Sequence, residues 1–217
     1  MSQQIMIIGL GQFGTLLART LFERGAEVLA VDIEQSRIDA VADFVTHAVA
    51  IDATDEGALA QLMPASRDTV VCTIGGASKD SAIICTALLR QMGCQHIVAR
   101  ANSQMHRRIL LLVGAHEVIN PEQEFGRRFA THLLHRNILS DTMLGGNLEL
   151  TEILLPPSMV NQNLVSLALP KRYGIIVAAV RREGELFRPD PREMLKEGDK
   201  LLIVSSEEAL ATLLKEV

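Results

Sequence analysis

The sequence has few aromatic side chains: it contains no tryptophan and one tyrosine, and aromatics make up 3% of its residues. Surfaces that stack sugars or bases use aromatic platforms, so this composition argues against such a surface. The net charge is −5 and no long Lys/Arg run occurs, which argues against a nucleic-acid partner. Short basic pairs such as Arg107-Arg108 are typical of solvated surface.

Long apolar runs are also missing. The longest, Ile109–Ala115, is far shorter than the roughly 18–20 residues of a membrane helix. The amino-terminal segment lacks the basic region and the small-residue cleavage site of a signal peptide. We therefore expect a soluble, cytoplasmic protein with no direct membrane insertion. The three cysteines lack CxxC spacing, which favours buried free thiols over metal ligands or a redox pair at Cys72, Cys85 and Cys94.

The apolar content of 48% is that of a globular chain. Up to residue 120, short β-branched runs alternate with segments whose apolar residues recur every three or four positions. The predicted strands are Gln4–Ile8, Glu27–Val31, His47–Ile51, Thr69–Ile74, His96–Ala99 and Glu117–Ile119. The predicted helices are Phe13–Arg24, Gln35–Phe44, Glu56–Met63, Lys79–Met92 and Ser103–Val113. This alternation predicts an α/β fold with a doubly wound parallel, Rossmann-like sheet.

The pattern changes after Asn120-Pro121. Glu122–Leu139 is predicted to form one long crossover helix, and Leu144–Asn147 a turn-rich joint. Beyond the joint, the predicted strands and helices are Leu148–Leu155, Leu164–Ala168, Gly174–Arg181, Glu185–Arg188, Lys200–Val204 and Ser206–Glu216. The sequence therefore predicts a nucleotide-binding domain over 1–120, a crossover and dimerisation helix with a linker over 121–146, and a small α+β domain over 147–217.

A glycine motif follows the first predicted strand: Gly9, Gly11 and Gly14, with Gln12 and Phe13 between the last two. Before a helix, such glycines allow a tight turn, close approach of backbone to a pyrophosphate, and close packing of helix on strand. The free N–H groups and the positive end of the helix dipole then favour an anion. The alternative is a turn that serves packing alone.

An acidic residue completes this pattern. Asp32, followed by Ile33, ends the second predicted strand. A carboxylate at this place accepts hydrogen bonds from ribose hydroxyls and repels a 2′-phosphate. We therefore expect a mononucleotide or a dinucleotide, with NADP disfavoured.

The third predicted strand ends in Asp52, Ala53 and Thr54, at the edge of the sheet where ligands bind in doubly wound folds. Asp52 and Ala53 could meet an adenine edge. Thr54 or the following Asp55 could instead serve only as the cap of the next helix.

The fourth and fifth predicted strands lead to the same crevice. Thr73, Ile74 and Gly75 follow the fourth strand, and the glycine permits a close approach to the nucleotide. Arg100 follows the fifth strand. It could meet a terminal phosphate or be an ordinary surface arginine.

The chain resembles the cytoplasmic gating subunits of bacterial potassium uptake systems. These are Ktr/Trk-type proteins built from RCK (regulator of potassium conductance) domains, with TrkA-N and TrkA-C parts. The resemblance covers essentially the whole chain and is carried by the segments GLGQFG, VLAVDIEQSRID, THAVAIDATDE, IVARANSQMHRRIL and VGAHEVINPEQEFG. The combination of the strand-two Asp with the IDATDE and VINPE segments is specific.

The resemblance implies a homodimer, commonly assembled into an octameric ring, that docks on an integral-membrane potassium channel or transporter at the inner face of the plasma membrane. It implies binding of an adenine nucleotide, ATP, ADP or NAD(H), and in some members of a divalent cation at the dimer interface. Glu122 matches the cation position, although alone it is also a typical first-turn helix acid. By matching position, phosphates would contact Gly9, Gly11, Gly14 and Arg100, ribose Asp32, and the base Asp52, Ala53 and Thr54.

One position departs from this family. Gln12 stands where Ktr-type members usually have an arginine that helps to bind terminal phosphates. A neutral amide replaces a bidentate charged contact there, so NAD, ADP or AMP becomes more plausible relative to ATP. Arg100 compensates in part.

An NAD-dependent oxidoreductase is the alternative. Such an enzyme needs a second half that supplies an acid/base residue, usually His, Lys or Tyr. After residue 147 the sequence has no histidine and only Tyr173 and scattered lysines. His132 and His135 have a spacing that could suit a metal, but no third ligand is evident, and a solvated or interface face is the simpler interpretation. The sequence favours a regulatory subunit in which the nucleotide is a ligand that shifts the conformation and is not a substrate.

Overall fold

The structure, a computed structural model, describes residues 2–76, 78–135 and 137–216. Four residues lie outside the described ranges: Met1, Ala77, Arg136 and Val217. Of these, Arg136 belongs to the predicted helix Glu122–Leu139. The chain divides into two compact units, Met1–Gln123 and Glu124–Val217.

The first unit is built on a parallel six-stranded sheet with the order β3-β2-β1-β4-β5-β6. Its strands are β1 (Gln4–Ile8), β2 (Glu27–Asp32), β3 (His47–Ala50), β4 (Thr69–Cys72), β5 (Ile97–Arg100) and β6 (Glu117–Ile119). Its helices are α1 (Gln12–Glu23), α2 (Gln35–Val41), α3 (Glu56–Gln61), α4 (Lys79–Gln91), α5 (Gln104–Leu112) and α6 (Pro121–Leu134), the last of which continues into the second unit. The strand order reverses between β1 and β4.

Both faces of this sheet are buried. Met6 and Ile8 of β1 pack into one hydrophobic core, whereas Ile5 and Ile7 pack into a second core. Because side chains alternate along a strand, the two cores lie on opposite faces of the sheet. Helices on both faces of a parallel sheet explain why its strands are almost entirely apolar.

The second unit contains an antiparallel five-stranded sheet with the order β10-β9-β11-β8-β7. Its elements are β7 (Ile138–Gly145), β8 (Leu148–Leu154), α7 (Leu164–Leu167), α8 (Leu169–Tyr173), β9 (Ile176–Arg182), β10 (Glu185–Phe187), β11 (Lys200–Ser205) and α9 (Glu207–Glu216). Ile153 and Ile203 of the sheet share a core with Leu210 and Leu213 of α9. The predicted fold class, a Rossmann-like sheet followed by a helix and a small α+β domain, is confirmed.

The predicted helix Glu122–Leu139 is wrong beyond Leu134. The helix ends at Leu134, and Ile138–Gly145 is a strand that pairs with β8. Ile138 also suits a helical period, but its side chain is buried in the core of the second unit. The predicted joint is a hairpin turn, because Gly145 and Gly146 take positive φ values of 107° and 62° between the paired strands.

The cysteine prediction is confirmed, since Cys72, Cys85 and Cys94 are buried and free. Among the helices of the described residues, none combines the length and the apolar character needed to cross a membrane.

Candidate functional site

A cleft of about 330 Å³ lies at the carboxyl ends of the strands in the first unit. It lies at the reversal of strand order, which is where doubly wound sheets bind ligands. The predicted site residues that line it are Gly9, Gly11, Asp32, Ile33, Asp52, Ala53, Thr54, Thr73, Ile74, Gly75 and Arg100.

The glycine loop is held rigidly between β1 and α1. Gly9 has a φ of +100°, and its N–H donates to the carbonyl of Val31 at 2.7 Å. A Cβ at Gly14 would lie 2.0 Å from the carbonyl oxygen of Gly9 and 2.6 Å from Oγ1 of Thr73. The Thr73 hydroxyl donates to that same carbonyl at 2.5 Å. These contacts require glycine at positions 9 and 14.

Gly11 has a different role from the other two glycines. A Cβ built on it would meet no atom within 4 Å, so packing does not require a glycine here. Gly11 lines the cleft and is the N-cap of α1, where no side chain caps the helix and the first turn carries no acidic residue. The free N–H groups of that turn and the helix dipole can therefore bind an anion that enters the cleft.

Asp32 connects the glycine loop to the opposite side of the cleft. Its Oδ2 accepts the backbone N–H of Leu10 at 2.6 Å, and its Oδ1 accepts the backbone N–H of Glu34 at 2.9 Å. Each carboxylate oxygen has two lone pairs, so both can still accept a bond from a hydroxyl. The side chain is buried except where it lines the cleft.

An arginine stands beside this carboxylate. Nη1 of Arg37 lies 3.6 Å from Oδ2 of Asp32, and Nη2 of Arg37 lies 2.7 Å from Oε1 of Glu34. Arg37 and Glu34 both line the cleft. The guanidinium charge is therefore already balanced by two carboxylates.

The end of β3 forms a tight polar turn. Oδ1 of Asp52 accepts both the N–H and the hydroxyl of Thr54, at 2.8 and 2.7 Å. The Thr54 hydroxyl, and after it the Thr54 N–H, lowers the pKa of Asp52. Asp55, and not Thr54, caps α3 by accepting the N–H of Ala58 at 3.0 Å.

Arg100 closes the cleft on the β5 side. Its Nη2 contacts Oε1 of Glu122 in the first turn of α6. Its Cζ lies 5.7 Å from the centre of the Phe13 ring, within the range of a cation–π contact. A Cβ on Gly75 would lie 3.3 Å from Nη1 of Arg100, so the glycine leaves room for the guanidinium. Nε of Arg100 is buried and has no hydrogen-bond partner within the described chain.

The comparison with protein families decides the identity of this unit. The TrkA-N domain family matches residues 5–121, and the TrkA-C domain family matches residues 150–217. The chain belongs to the Ktr/Trk-type family. The predicted resemblance is thus confirmed over both units.

Relatives of this TrkA-N and TrkA-C chain have similar lengths. Ktr system potassium uptake protein A of Vibrio alginolyticus is 33% identical over 98% of this chain and 97% of its own. Ktr system potassium uptake protein C of Bacillus subtilis is 30% identical over 95% of this chain and 93% of its own.

The fold is shared with solved RCK domains. The crystal structure of the GsuK RCK domain superposes with a TM-score of 0.65 at 21% identity and covers 99% of this chain. The chain spans 47% of that longer chain. At this identity the likeness establishes the fold.

Four of the predicted site residues of this TrkA-N unit do not line the cleft. Gln12 is exposed at the first residue of α1, and Gly14 is buried beneath the loop. Phe13 reaches the site only through Arg100, as does Glu122. No group of three or more His, Cys, Asp or Glu side chains within the described residues is arranged to hold a metal ion. His132 pairs with Asp141, its Nε2 lying 2.7 Å from Oδ1.

The sequence interpretation missed four polar residues of the cleft: Glu34, Arg37, Ser78 and Ser81. Glu34 and Arg37 lie at the start of α2, three positions apart and directly after Asp32. Ser78 and Ser81 lie at the start of α4. The common signal is a polar residue in the first turn of the helix that follows each strand, because that turn faces the same crevice as the strand end.

Proposed function

We propose that the chain is a nucleotide-sensing regulatory subunit that gates a membrane potassium channel or transporter. The cleft of the first unit would bind the nucleotide, and the bound nucleotide would change the conformation of a dimer or ring. Full-length relatives named as Ktr potassium uptake proteins support this proposal. The observation that carries it is that one cleft contains both the free N–H groups that follow Gly11, which can bind a phosphate, and the carboxylate of Asp32, which can accept hydroxyl groups.

The chemistry of the cleft favours an adenine nucleotide, ATP, ADP or NAD(H). The first turn of α1 would bind a phosphate, and Asp32 would accept the ribose hydroxyls. The cleft between Asp32 and Asp52 would hold the base. Arg37 does not favour NADP, because Asp32 and Glu34 already neutralise its charge.

The identity of the nucleotide depends on where the terminal phosphates lie. Gln12 brings no positive charge to the loop, is exposed, and is not among the described residues that line the cleft. Arg100 is the cation at the far side, and it is already in contact with Glu122. A nucleotide with fewer phosphates, ADP or NAD(H), therefore suits this cleft better than ATP.

Arg100 also offers a way to transmit binding. A phosphate that contacts Arg100 must share it with Glu122 or displace that carboxylate. Glu122 is the second residue of α6, the helix that continues into the second unit. A ligand shifts a two-state equilibrium only by its differential affinity, and this exchange of partners would supply such a difference. A divalent cation bound by Glu122 together with the phosphates would be a second route to the same shift.

We also propose that α6 packs in a homodimer, and that dimers assemble into a ring. Its exposed apolar side chains are too many for a helix that faces water alone. They are Phe125, Phe129, Leu133 and Leu134. The subunit would act at the cytoplasmic face of the membrane, bound to its transporter partner.

Catalysis is not part of this proposal. The described lining of the cleft contains no His, Lys, Tyr or Cys that could act as an acid/base group for hydride transfer. Relatives over the full length carry potassium uptake names.

Two measurements test the proposal. Thermal unfolding of the full chain with ATP, ADP, NAD, NADH or NADP, each with and without Mg²⁺, should rank the ligands, with NADP last. Potassium uptake should then be measured in cells that carry the membrane subunit of a Ktr-type potassium uptake system, with the wild type or Asp32→Ala. Loss of nucleotide-dependent uptake in the variant is expected. If no nucleotide raises the Tm, the ligand assignment is wrong, and if uptake ignores the subunit, the gating role is wrong.

A further inference from the structure

A group of buried and half-buried polar side chains lies in the sheet of the second unit. We call it the polar cluster, and it consists of Asp141 of β7, Glu149 and Thr151 of β8, and Ser205 of β11. Asp141 is directly opposite Thr151 in the β7–β8 pair, and Glu149 is directly opposite Ser205 in the β8–β11 pair. Residues two apart on a strand share a face, so all four side chains lie on one face of three adjacent strands.

This face is the one that packs against the core. Thr151 and Ser205 are 0% exposed, and Ile153 and Ile203, each two residues further along the same strands, belong to the hydrophobic core. Polar groups at such positions are normally hydrogen-bonded. The polar cluster is therefore an exception that needs a physical explanation.

Three atoms of the polar cluster lack a partner. Oε1 of Glu149, Oγ1 of Thr151 and Oγ of Ser205 are all buried and accept or donate no hydrogen bond within the described residues. Leaving a buried polar group unpaired is destabilising, because the group loses its hydrogen bonds to water and gains none in return. Glu149 faces Ser205 on the neighbouring strand, and Thr151 lies two residues from Glu149 on the same face of β8. Three unpaired oxygens on one face of two neighbouring strands point to a ligand that accepts their lone pairs.

The charges of the polar cluster indicate the charge of that ligand. Asp141 is balanced, because His132 lies 2.7 Å and Arg128 3.6 Å from its two carboxylate oxygens. Within the described chain no cationic side chain pairs with Glu149. Burial, and after it the neighbouring Asp141 and Glu207, raises the pKa of Glu149. One carboxylate is thus left without a counter-charge.

We propose that the polar cluster binds one monovalent alkali cation, ligated by Glu149, Thr151 and Ser205. Carboxylate and hydroxyl oxygens are hard ligands that suit alkali and alkaline-earth ions. A single unbalanced carboxylate matches one positive charge, whereas divalent sites of high affinity usually collect more carboxylates. The imidazole that would attract a transition metal, His132, is already engaged with Asp141. This site belongs to the second unit and does not depend on the nucleotide assignment.

The test is thermal unfolding of the full chain without nucleotide or divalent ions, in choline, sodium or potassium chloride at equal ionic strength. Replacing choline by the preferred cation should raise the Tm by about 2–4 °C, and raise it further as the concentration exceeds Kd. Glu149→Gln should abolish this rise. Glu208→Gln, which removes an exposed acid from the first turn of α9, should keep it.

Thr151→Val is the decisive variant. Valine has the shape of threonine but no hydroxyl, so it removes one orphaned oxygen without opening a cavity. If the hydroxyl is a ligand, the variant should lose the cation-dependent rise in Tm. If the hydroxyl is merely unpaired, the variant should be at least as stable as the wild type and keep the rise, which would overturn the proposal.

Two further outcomes would also overturn it. Equal Tm values in the three salts would exclude a cation, and a Tm that then followed pH alone would indicate a protonated Glu149 that donates to its neighbours. A rise that survived in Glu149→Gln would place the cation elsewhere. Neither outcome would affect nucleotide binding in the first unit, which Asp32→Ala tests separately.

Discussion

The carboxylate of Asp32 accepts the backbone N–H of Leu10, in the glycine loop, at 2.6 Å. The residue that the sequence assigns to a ribose is therefore also a structural support of the glycine loop. A substitution of Asp32 can therefore change both the affinity for the nucleotide and the structure of the glycine loop, and the two effects have to be distinguished.

Asp32→Asn should separate the two roles. The amide keeps the size of the side chain, and its oxygen can still accept from Leu10 and hold the glycine loop. The charge that favours ribose hydroxyls is lost, together with the bond from the N–H of Glu34, which the NH2 group cannot accept. We expect nucleotide affinity to fall about tenfold or more, since hydrogen bonds to charged groups contribute about 1.5–3 kcal/mol. Isothermal titration calorimetry measures this, with Asp39→Asn of α2 as the exposed control. Unchanged affinity would remove Asp32 from the nucleotide site.

The glycine loop provides a matched pair of substitutions. Gly14→Ala places a methyl group 2.0 Å from a backbone oxygen, so the first unit should lose about 1–3 kcal/mol or more of stability. Gly11→Ala meets no atom within 4 Å and should fold normally, but its methyl group would crowd a bound phosphate. Urea unfolding and nucleotide titration of both variants check this, and a stable Gly14→Ala would contradict the described packing.

The Arg100–Glu122 contact predicts opposite effects of its two ends. Glu122→Gln frees the guanidinium for a phosphate, so affinity for ADP without Mg²⁺ should rise several-fold. Arg100→Gln should lower that affinity, because a phosphate then meets no cation at this side of the cleft. Titrations of ADP with and without Mg²⁺ distinguish a phosphate that displaces Glu122 from Arg100 from a cation that Glu122 binds. If Glu122→Gln instead abolishes a Mg²⁺-dependent gain in ADP affinity, Glu122 binds the cation.

The proposed dimer depends on the apolar face of α6. Phe125 and Phe129 are 63% and 52% exposed, and their rings stack with centres 5.7 Å apart. Aromatic residues of this kind are frequent hot spots of interfaces, where truncation costs 2 kcal/mol or more, as an order-of-magnitude figure. Phe129→Asp should therefore shift the protein toward monomers in light scattering. Val165→Asp, at a position of similar exposure, should not, and equal behaviour of the two would argue against α6 as the interface.

The stability of the second unit should fall in acid through Asp199. This fully buried carboxylate accepts from Nε and Nη2 of Arg182, both at 2.8 Å. The hydrogen bonds from Arg182 lower the pKa of Asp199 below its ordinary value of 3.8. Its contribution is therefore complete above pH 3.8 and is lost as the pH falls through the native pKa.

Asp199→Asn tests this dependence. At pH 7 the variant should be destabilised by about 3 kcal/mol, the lower end of the cost of breaking a buried ion pair. The difference from wild type should begin to shrink below pH 3.8, where the unfolded wild-type carboxyl binds a proton, and should vanish as the pH falls through the lower native pKa. Urea unfolding followed by circular dichroism at pH 7 and pH 3.5 checks the sign. A difference that grew in acid would exclude the ion pair as its source.

The sequence predicted the first unit well because its signals are local. Buried parallel strands are continuous apolar runs, and the predicted strands match the observed ones to within two residues at each end. The residues at strand ends came together because topology alone brings the carboxyl ends of parallel strands to one edge.

The sequence failed where tertiary pairing decides the structure. Ile138 fits the spacing of the predicted helix and also the buried face of a strand, and only pairing with β8 selects the strand. The polar cluster was missed for the same reason. Ser205 is far in sequence from Asp141 and Glu149, and each of the three alone is an ordinary polar residue. Their proximity exists only in the register of three antiparallel strands.

The contacts among Gly9, Gly14 and Thr73 leave the glycine loop no free space beneath it. A ligand cannot push this loop inward, and β1 fixes it from below. We therefore expect the response to binding at the side chains of Arg37 and Arg100, which line the cleft and now pair with carboxylates. The glycine loop is thus the rigid part of the site, and the two guanidinium groups are the parts that a bound phosphate can move.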